Sequence, residues 1–437
     1  MTLFRRAFEL KESLAGPPSR RAAYYTLVQA SYACLAGSFE MPMAFRLAGR
    51  IDLVAFVYAF YYTTLFGGFA LGMVLVREGG ATRVYRASLS LWAALSLGAA
   101  ILFPYMIGIP ALICYFLVRG LAEGLYWSAR HRAFLWSVKD ARRDSFALRL
   151  QSIVVSLSVV LPLLGGAAIT YLGPALGLES GPGRLPVGYV PVFILTGSVM
   201  LLALLGSPKL EIGRSPLSFR AVMGVFKLAP ARSWCYYLAL TGVAGTLLST
   251  AGGIQTFGVL KTEFRIGALN AGIALLSSFS FLALGKYFAG RKGARLHGVL
   301  LGSLADFFSR AVYAILPTAG GLAAKSLLDA LIVPLKSLLG ENVQFALIER
   351  LCRKAEVSAS ELYLFREMLF WFARLVACLI TGFAFVLVTA LANQLGSPDA
   401  APRLSARALI ALSAPVAILE YFYVRSFAKD NAAFPSH

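Results

Sequence analysis

Leu53 to Val76 reads LVAFVYAFYYTTLFGGFALGMVLV, without one charged side chain. At 1.5 Å rise per residue such a run makes a helix of about 36 Å, enough to cross a hydrocarbon layer of about 30 Å. Two bracketing features fix its ends: Asp52 before it, and Arg77 and Glu78 after it. About a dozen runs of this kind lie between Tyr24 and Tyr423, and the pattern predicts helices at 24–45, 52–76, 85–104, 106–128, 149–173, 189–206, 234–258, 267–288, 296–316, 320–341, 363–392 and 404–425.

Composition agrees. Of the 437 residues, 58% are hydrophobic and 14% charged, against about 25% charged in an ordinary soluble domain. A soluble globule is excluded, and the expected class is an all-α integral membrane protein of twelve transmembrane helices. The net charge of +20 does not point to nucleic acid, because a basic nucleic-acid binder gathers its charge on a folded polar face. Here about 30 of the 41 Lys and Arg fall in the two ends and in alternate loops, the bias that marks cytoplasmic segments. Both termini are therefore expected in the cytoplasm, with the chain passing many times through a bacterial plasma (inner) membrane. The five cysteines lie in apolar segments, at a membrane edge or on the expected cytoplasmic side, so no disulfide framework is expected.

Residues 1–20 alternate Phe and Leu with Arg and Lys before a Gly-Pro-Pro break, as in a helix lying on the inner surface. The long polar connection 207–233, with Pro208, Pro216 and Pro230, reads as a cytoplasmic linker. It separates six helices in 21–206 from six in 234–427, and 428–437 forms a tail. An internal repeat supports the division. Arg119, Glu123 and Arg130 in the fourth helix are spaced like Lys325, Asp329 and Lys336 in the tenth, with the same order of signs. Spacings of four and eleven put all three on one stripe of a helix.

The loops after the second and eighth helices carry a resemblance. Gly72 to Gly79, with Arg77, and Gly290-Arg291-Lys292-Gly293-Ala294-Arg295 resemble the Gly-x-x-x-Asp-Arg-x-Gly-x-Arg loop signature of the major facilitator superfamily, with Val76 and Gly290 where that family has Asp. Pro162-Leu-Leu-Gly165-Gly166 in the fifth helix looks like that family's antiporter motif, with Leu161 in place of its first Gly; packing of small residues explains it equally. Arg119 lies near the arginine the family often carries in its fourth helix. The resemblance implies two pseudo-symmetric six-helix bundles around a central cavity, alternating access by rocking of the halves, and gating loops at Arg77, Gly79, Arg291, Gly293 and Arg295.

Charges inside a bilayer are costly, about 2.5 to 3.5 kcal/mol at a helix centre, so they face the bundle interior. Arg119, Lys325 and Arg374 are the expected positive contacts for a small or amphiphilic, anionic solute, with Tyr115, Tyr126, Gln255 and Trp371 beside them. Glu40, Glu123, Asp329 and Glu367 are the expected proton-exchanging groups, because a carboxylate released by its cation can take a proton. Asp306 and Arg310 read as a self-neutralised pair on a peripheral helix, and Trp127 as an interfacial anchor. In the seventh helix Thr250 and Gln255 flank Gly252-Gly253, where local unwinding is expected.

No His-x-x-x-His, Cys-x-x-Cys, Gly-x-Ser-x-Gly or phosphate-loop pattern occurs, so neither an enzyme nor a metal site nor a cofactor is expected. The reading is a proton-coupled secondary active transporter, monomeric, whose partners are its solute, the lipid bilayer and protons. Its rivals are a lipid or polyprenyl-phosphate carrier without ion coupling, and a non-transporting membrane assembly factor.

Overall fold

The computed structural model describes residues 17–432 except 78–79, 103–104, 106, 138–139, 178–183, 210–216, 219–222, 228, 289–293, 333–334, 337–338, 356 and 395–399. Among these residues every regular element is a helix. Spans 2 to 6 are Ile51–Arg77, Ala81–Ile101, Gly108–Ser137, Asp140–Ala175 and Tyr189–Leu205. Spans 8, 9, 11 and 12 are Glu263–Phe288, Ala294–Ile315, Ala359–Gln394 and Ala401–Ala432. Two spans are interrupted. Span 1 is Pro17–Leu35 and Glu40–Ala48 joined by a 3-10 turn, and span 7 is Ala229–Leu247 and Gly253–Leu260 joined by a π turn at Leu248–Gly252. Span 10 is described over Ala319–Ile332.

Nine helices among the described residues are long and apolar enough to cross a bilayer. The other three spans are the 17-residue Tyr189–Leu205, the interrupted span 1, and span 10, described over the 14 residues Ala319–Ile332. Past Ile332 a further helix, Leu339–Ala355, is described beyond the expected boundary at residue 341, with Pro334 in the sequence between the two. The local unwinding expected in span 7 is realised as a π turn, which adds one residue to a helical turn and is common where a helix serves a site.

Many large apolar side chains point outward, Leu379 at 73% exposure and Phe383 at 71% among them. A water-soluble monomer does not present apolar surface on this scale; a lipid-facing one does.

The first six spans meet the last six where span 2 packs on span 11 and span 5 on span 8. Glycine makes the closest contacts. A Cβ on Gly120 or Gly124 would strike the span 2 backbone at Tyr61 and Leu65, and one on Gly267 would strike the carbonyl of Pro162. Small residues four apart let two helix backbones touch. Gly166 lies against the backbone of Glu263, and Gly165 against the ring of Phe39; the Pro162–Gly166 stretch thus occupies the seam between halves.

Apolar layers join the halves on both sides of mid-depth. Away from the termini, Phe39, Met43 and Leu47 share a core with Leu247, Ile254 and Tyr313. Nearer the termini, Phe69 and Met73 share one with Trp234, Tyr363 and Phe365.

Candidate functional site

Between these layers the halves line a partly open cavity of about 490 Å³. Span 2 contributes Tyr58, Tyr61 and Tyr62, span 4 contributes Glu123, Trp127 and His131, and span 11 contributes Arg366, Glu367, Phe370 and Arg374. Span 7 completes it with small and hydroxyl residues from Thr241 to Ser249. A second cavity of about 610 Å³ lies among spans 7 to 12 and is bounded by Asp306, Arg310, Lys325, Asp329, Lys336 and Glu420. Thr241, Gly245, Arg366 and Phe370 line both, so the two cavities adjoin as neighbouring compartments.

Behind the first compartment sits a buried ionic cluster. Arg119, 7% exposed, donates from Nε to Glu40 Oε1 at 2.8 Å and from Nη1 to Glu123 Oε2. Tyr32 and Tyr115 donate to the same Glu40 oxygen at 2.9 and 3.2 Å. Glu123 also accepts from Tyr61 and, at 3.0 Å, from the indole of Trp127. The guanidinium lies over the rings of Tyr32 and Tyr61 at 4.8 and 5.4 Å. One cation thus serves two carboxylates from different spans, and only Glu123 reaches the chamber wall.

The break in span 1 makes this possible. The 3-10 turn Gly37–Phe39 restarts the helix at Glu40, placing its carboxylate 8% exposed inside the bundle.

The second compartment holds a denser network. Asp306 takes a two-pronged bond from Arg310 at 2.6 and 2.6 Å and pairs with Lys336, which also pairs with Glu420 of span 12. Lys325 pairs with Asp329, which accepts from Ser309 at 2.6 Å.

The residues expected at the site therefore divide. Glu123, Glu367 and Arg374 line the first compartment, and Lys325 and Asp329 the second. Arg119, Glu40 and Tyr115 lie one layer behind. Tyr126 faces the core of the first half instead, donating to the Tyr25 carbonyl at 3.0 Å beside Trp92, because its place on span 4 turns it towards span 3. Gln255 donates to the Tyr313 carbonyl at 2.9 Å, beyond the chamber. Trp371 stacks on Phe66 at 5.1 Å, across the seam between spans 11 and 2. Gly79, Arg291 and Gly293 lie outside the described residues, as do the side chains of Arg77 and Arg295.

Two expectations are corrected, and one residue is added. Asp306 and Arg310 are not a closed pair on a peripheral helix, since Lys336 and Glu420 extend them into the chamber wall. Trp127 is not only an interfacial anchor, because its N–H is committed to Glu123. His131, given no role by its sequence, stacks on Tyr363 of span 11 with ring centroids 4.7 Å apart. Glu420 and Arg366 went unnoticed, although each is a charge inside an apolar run, the same signal that marked Glu123.

The far end of the seam carries a latch. Arg46 of span 1 makes a two-pronged pair with Glu263 of span 8 at 2.7 and 3.0 Å, and Tyr189 of span 6 donates to the same carboxylate at 3.3 Å. Phe45 meets Phe257 beside it. Arg46 is 30% exposed, so the pair is worth about 1 kcal/mol or a little more. Glu263→Gln should raise thiol labelling of a Phe257→Cys reporter several-fold without lowering the folded yield, as measured by maleimide labelling of intact vesicles.

Comparison with solved structures defines the fold. The chain has the fold of major facilitator superfamily transporters. A bacterial homologue of the human lysosomal transporter Spinster, inward-facing and occupied, matches with a TM-score of 0.62 and 14% identity over 95% of this chain and 98% of that one. The nucleoside transporter NupG matches with a TM-score of 0.59 and 12% identity over 94% and 98%. A variant of the E. coli fucose:proton symporter matches with a TM-score of 0.58 and 14% identity over 93% and 98%. No protein-family model matches the chain, and no curated protein does so by sequence.

Proposed function

We propose that this chain is a secondary active transporter that works by alternating access, coupled to protons, with both termini on the cytoplasmic face of a bacterial plasma membrane. The observation that carries the reading is the chamber at the seam, where ionised groups from spans 4 and 11 face one another across two halves joined mainly at spans 2/11 and 5/8. Solute and coupling sites at the interface of two repeats, near mid-depth, suit rocking of one half against the other.

The solute rests its apolar or ring-bearing part on Tyr58, Tyr61, Tyr62 and Phe370 and meets charge at Arg374 and Glu367. Coupling runs through Glu40, Arg119 and Glu123. One guanidinium cannot neutralise two carboxylates, so the cluster holds one proton or leaves one charge uncompensated in a low-dielectric interior. Glu123 is the member at the wall and therefore exchanges that proton with the chamber, while Arg119 stays seated on Glu40. The neighbours include a fucose:proton symporter and a nucleoside transporter, which supports a small polar solute and a proton gradient without naming either for this chain.

Solute uptake into proteoliposomes with and without a pH gradient tests the reading. Glu123→Gln should abolish accumulation driven by the gradient and preserve counterflow at equal pH. Gradient-driven accumulation at the wild-type level in that variant would remove Glu123 from the coupling step.

A further inference from the structure

The chamber wall is balanced in charge: its two compartments present five acidic and five basic side chains, although the chain as a whole is at +20. That balance constrains what can bind. A buried ion stripped of its partner is strongly destabilising, whereas partners can be exchanged with little net change.

The ionic compartment has two layers. Asp306, Arg310, Lys336 and Glu420 interlock, and the side chains of Asp306, Arg310 and Glu420 are only 3–6% exposed. Arg310 is held further by a 2.8 Å bond to the Ser413 carbonyl. Lys325 and Asp329 stand in front of them, 16% and 23% exposed, one helical turn apart on span 10. With Lys336 at 13%, this is the most exposed acid–base pair bounding the compartment.

A monovalent anion binding Lys325 displaces Asp329 and leaves it without a cation. A monovalent cation binding Asp329 strands Lys325 in the same way. A ligand bearing both charges exchanges partners: its carboxylate replaces Asp329 on Lys325, and its ammonium replaces Lys325 on Asp329, where Ser309 keeps the acid oriented. No charge is left over. The same compartment is bounded by Tyr237, Leu248, Ile273, Ile332 and Phe370, which offer apolar surface to a group attached to such a head.

From this geometry we propose that the solute is a zwitterion with an amino-acid-like head and an apolar or aromatic tail, its head read by Lys325 and Asp329. The proposal rests on the transporter reading, adds Lys325 and Asp329 to the charge contacts at Arg374 and Glu367, and names a zwitterion as the substrate class.

Three probes with one ring and different charges decide it: L-phenylalanine, 3-phenylpropionate and 2-phenylethylamine, titrated against the full-length protein in nanodiscs with tryptophan fluorescence as readout. L-Phenylalanine should bind roughly tenfold or more tighter than either singly charged analogue, the size expected for leaving one of two paired charges unmet. Asp329→Asn should reverse the order, favouring 3-phenylpropionate by roughly tenfold, because Lys325 is then free for an anion. The neutral double variant Lys325→Gln with Asp329→Asn strands no charge and should fold, and it should lose the preference for the zwitterion. Equal binding of L-phenylalanine and 3-phenylpropionate by the unaltered protein, or binding of none of the three, would overturn the proposal. Counterflow of some other solute in the latter case leaves the transporter reading standing. Zwitterion binding with no counterflow of L-phenylalanine would instead sink the transporter reading and leave the site.

Discussion

Arg119→Met should cost about 3 to 5 kcal/mol of stability and abolish transport, because it leaves Glu40 and Glu123 buried without a cation. The loss is read as a fall in monodisperse protein on detergent size-exclusion chromatography and as a lowered melting temperature. Two carboxylates then compete for one pocket ringed by Tyr32, Tyr61 and Tyr115, and the cluster is tolerated only if both are protonated. The charge-free triple variant Glu40→Gln, Arg119→Met, Glu123→Gln separates structure from function. It should recover most of the stability, since an ionic triad can be exchanged for neutral residues at little cost, yet remain inactive in gradient-driven uptake. Recovery of uptake in the triple variant would show that the cluster only holds helices together.

Asp306→Ala should be comparably severe in the second half, again about 3 to 5 kcal/mol, since one carboxylate anchors both Arg310 and Lys336. Glu420 can hold Lys336 but lies beyond the two-pronged bond that Arg310 makes to Asp306. A milder outcome is expected for Arg310→Met with Asp306→Leu, which removes the pair together and leaves Lys336 on Glu420. The comparison is made by thermal unfolding followed by tryptophan fluorescence. Equal stability of the single and double variants would show that Asp306 is not the hub of the network.

Hydropathy made the fold legible because each span must satisfy its own backbone in lipid, so position along the chain alone marks a helix. The breaks were less visible. Gly37–Phe39 and Leu248–Gly252 interrupt spans 1 and 7 without long polar stretches, and a window average runs through them. Of the site, the residues that stood out were those whose charge is costly in an apolar run: Glu123, Lys325, Asp329, Glu367 and Arg374 reach the chamber wall. Helical spacing placed them on a stripe, but a stripe has neighbours on both sides. Tyr126 therefore turned to span 3 while Glu123, three residues earlier, faces the chamber. Contacts between distant spans left no local signal. Nothing near Asp306 announces that Lys336, thirty residues on, completes its coordination, and nothing near Arg46 announces Glu263.

The paired triplets Arg119/Glu123 and Lys325/Asp329 look equivalent in sequence and differ in setting. The first shares its cation with a second carboxylate, Glu40, and is sealed from the chamber on one side. The second is a closed pair at the wall. On the proposed reading the first holds a proton and the second exchanges partners with a ligand, a division of labour that the repeat by itself does not reveal.

The most direct test of alternating access at the central chamber is thiol accessibility from each side of the membrane. A single cysteine is placed at Ser249, on the wall formed by span 7, in a background with Cys34, Cys114, Cys235, Cys352 and Cys378 replaced. Alternating access predicts that an impermeant thiol reagent labels this cysteine from either face of sealed vesicles, and that a transported solute slows both reactions. Labelling from one face alone, in a variant that still transports, would contradict it.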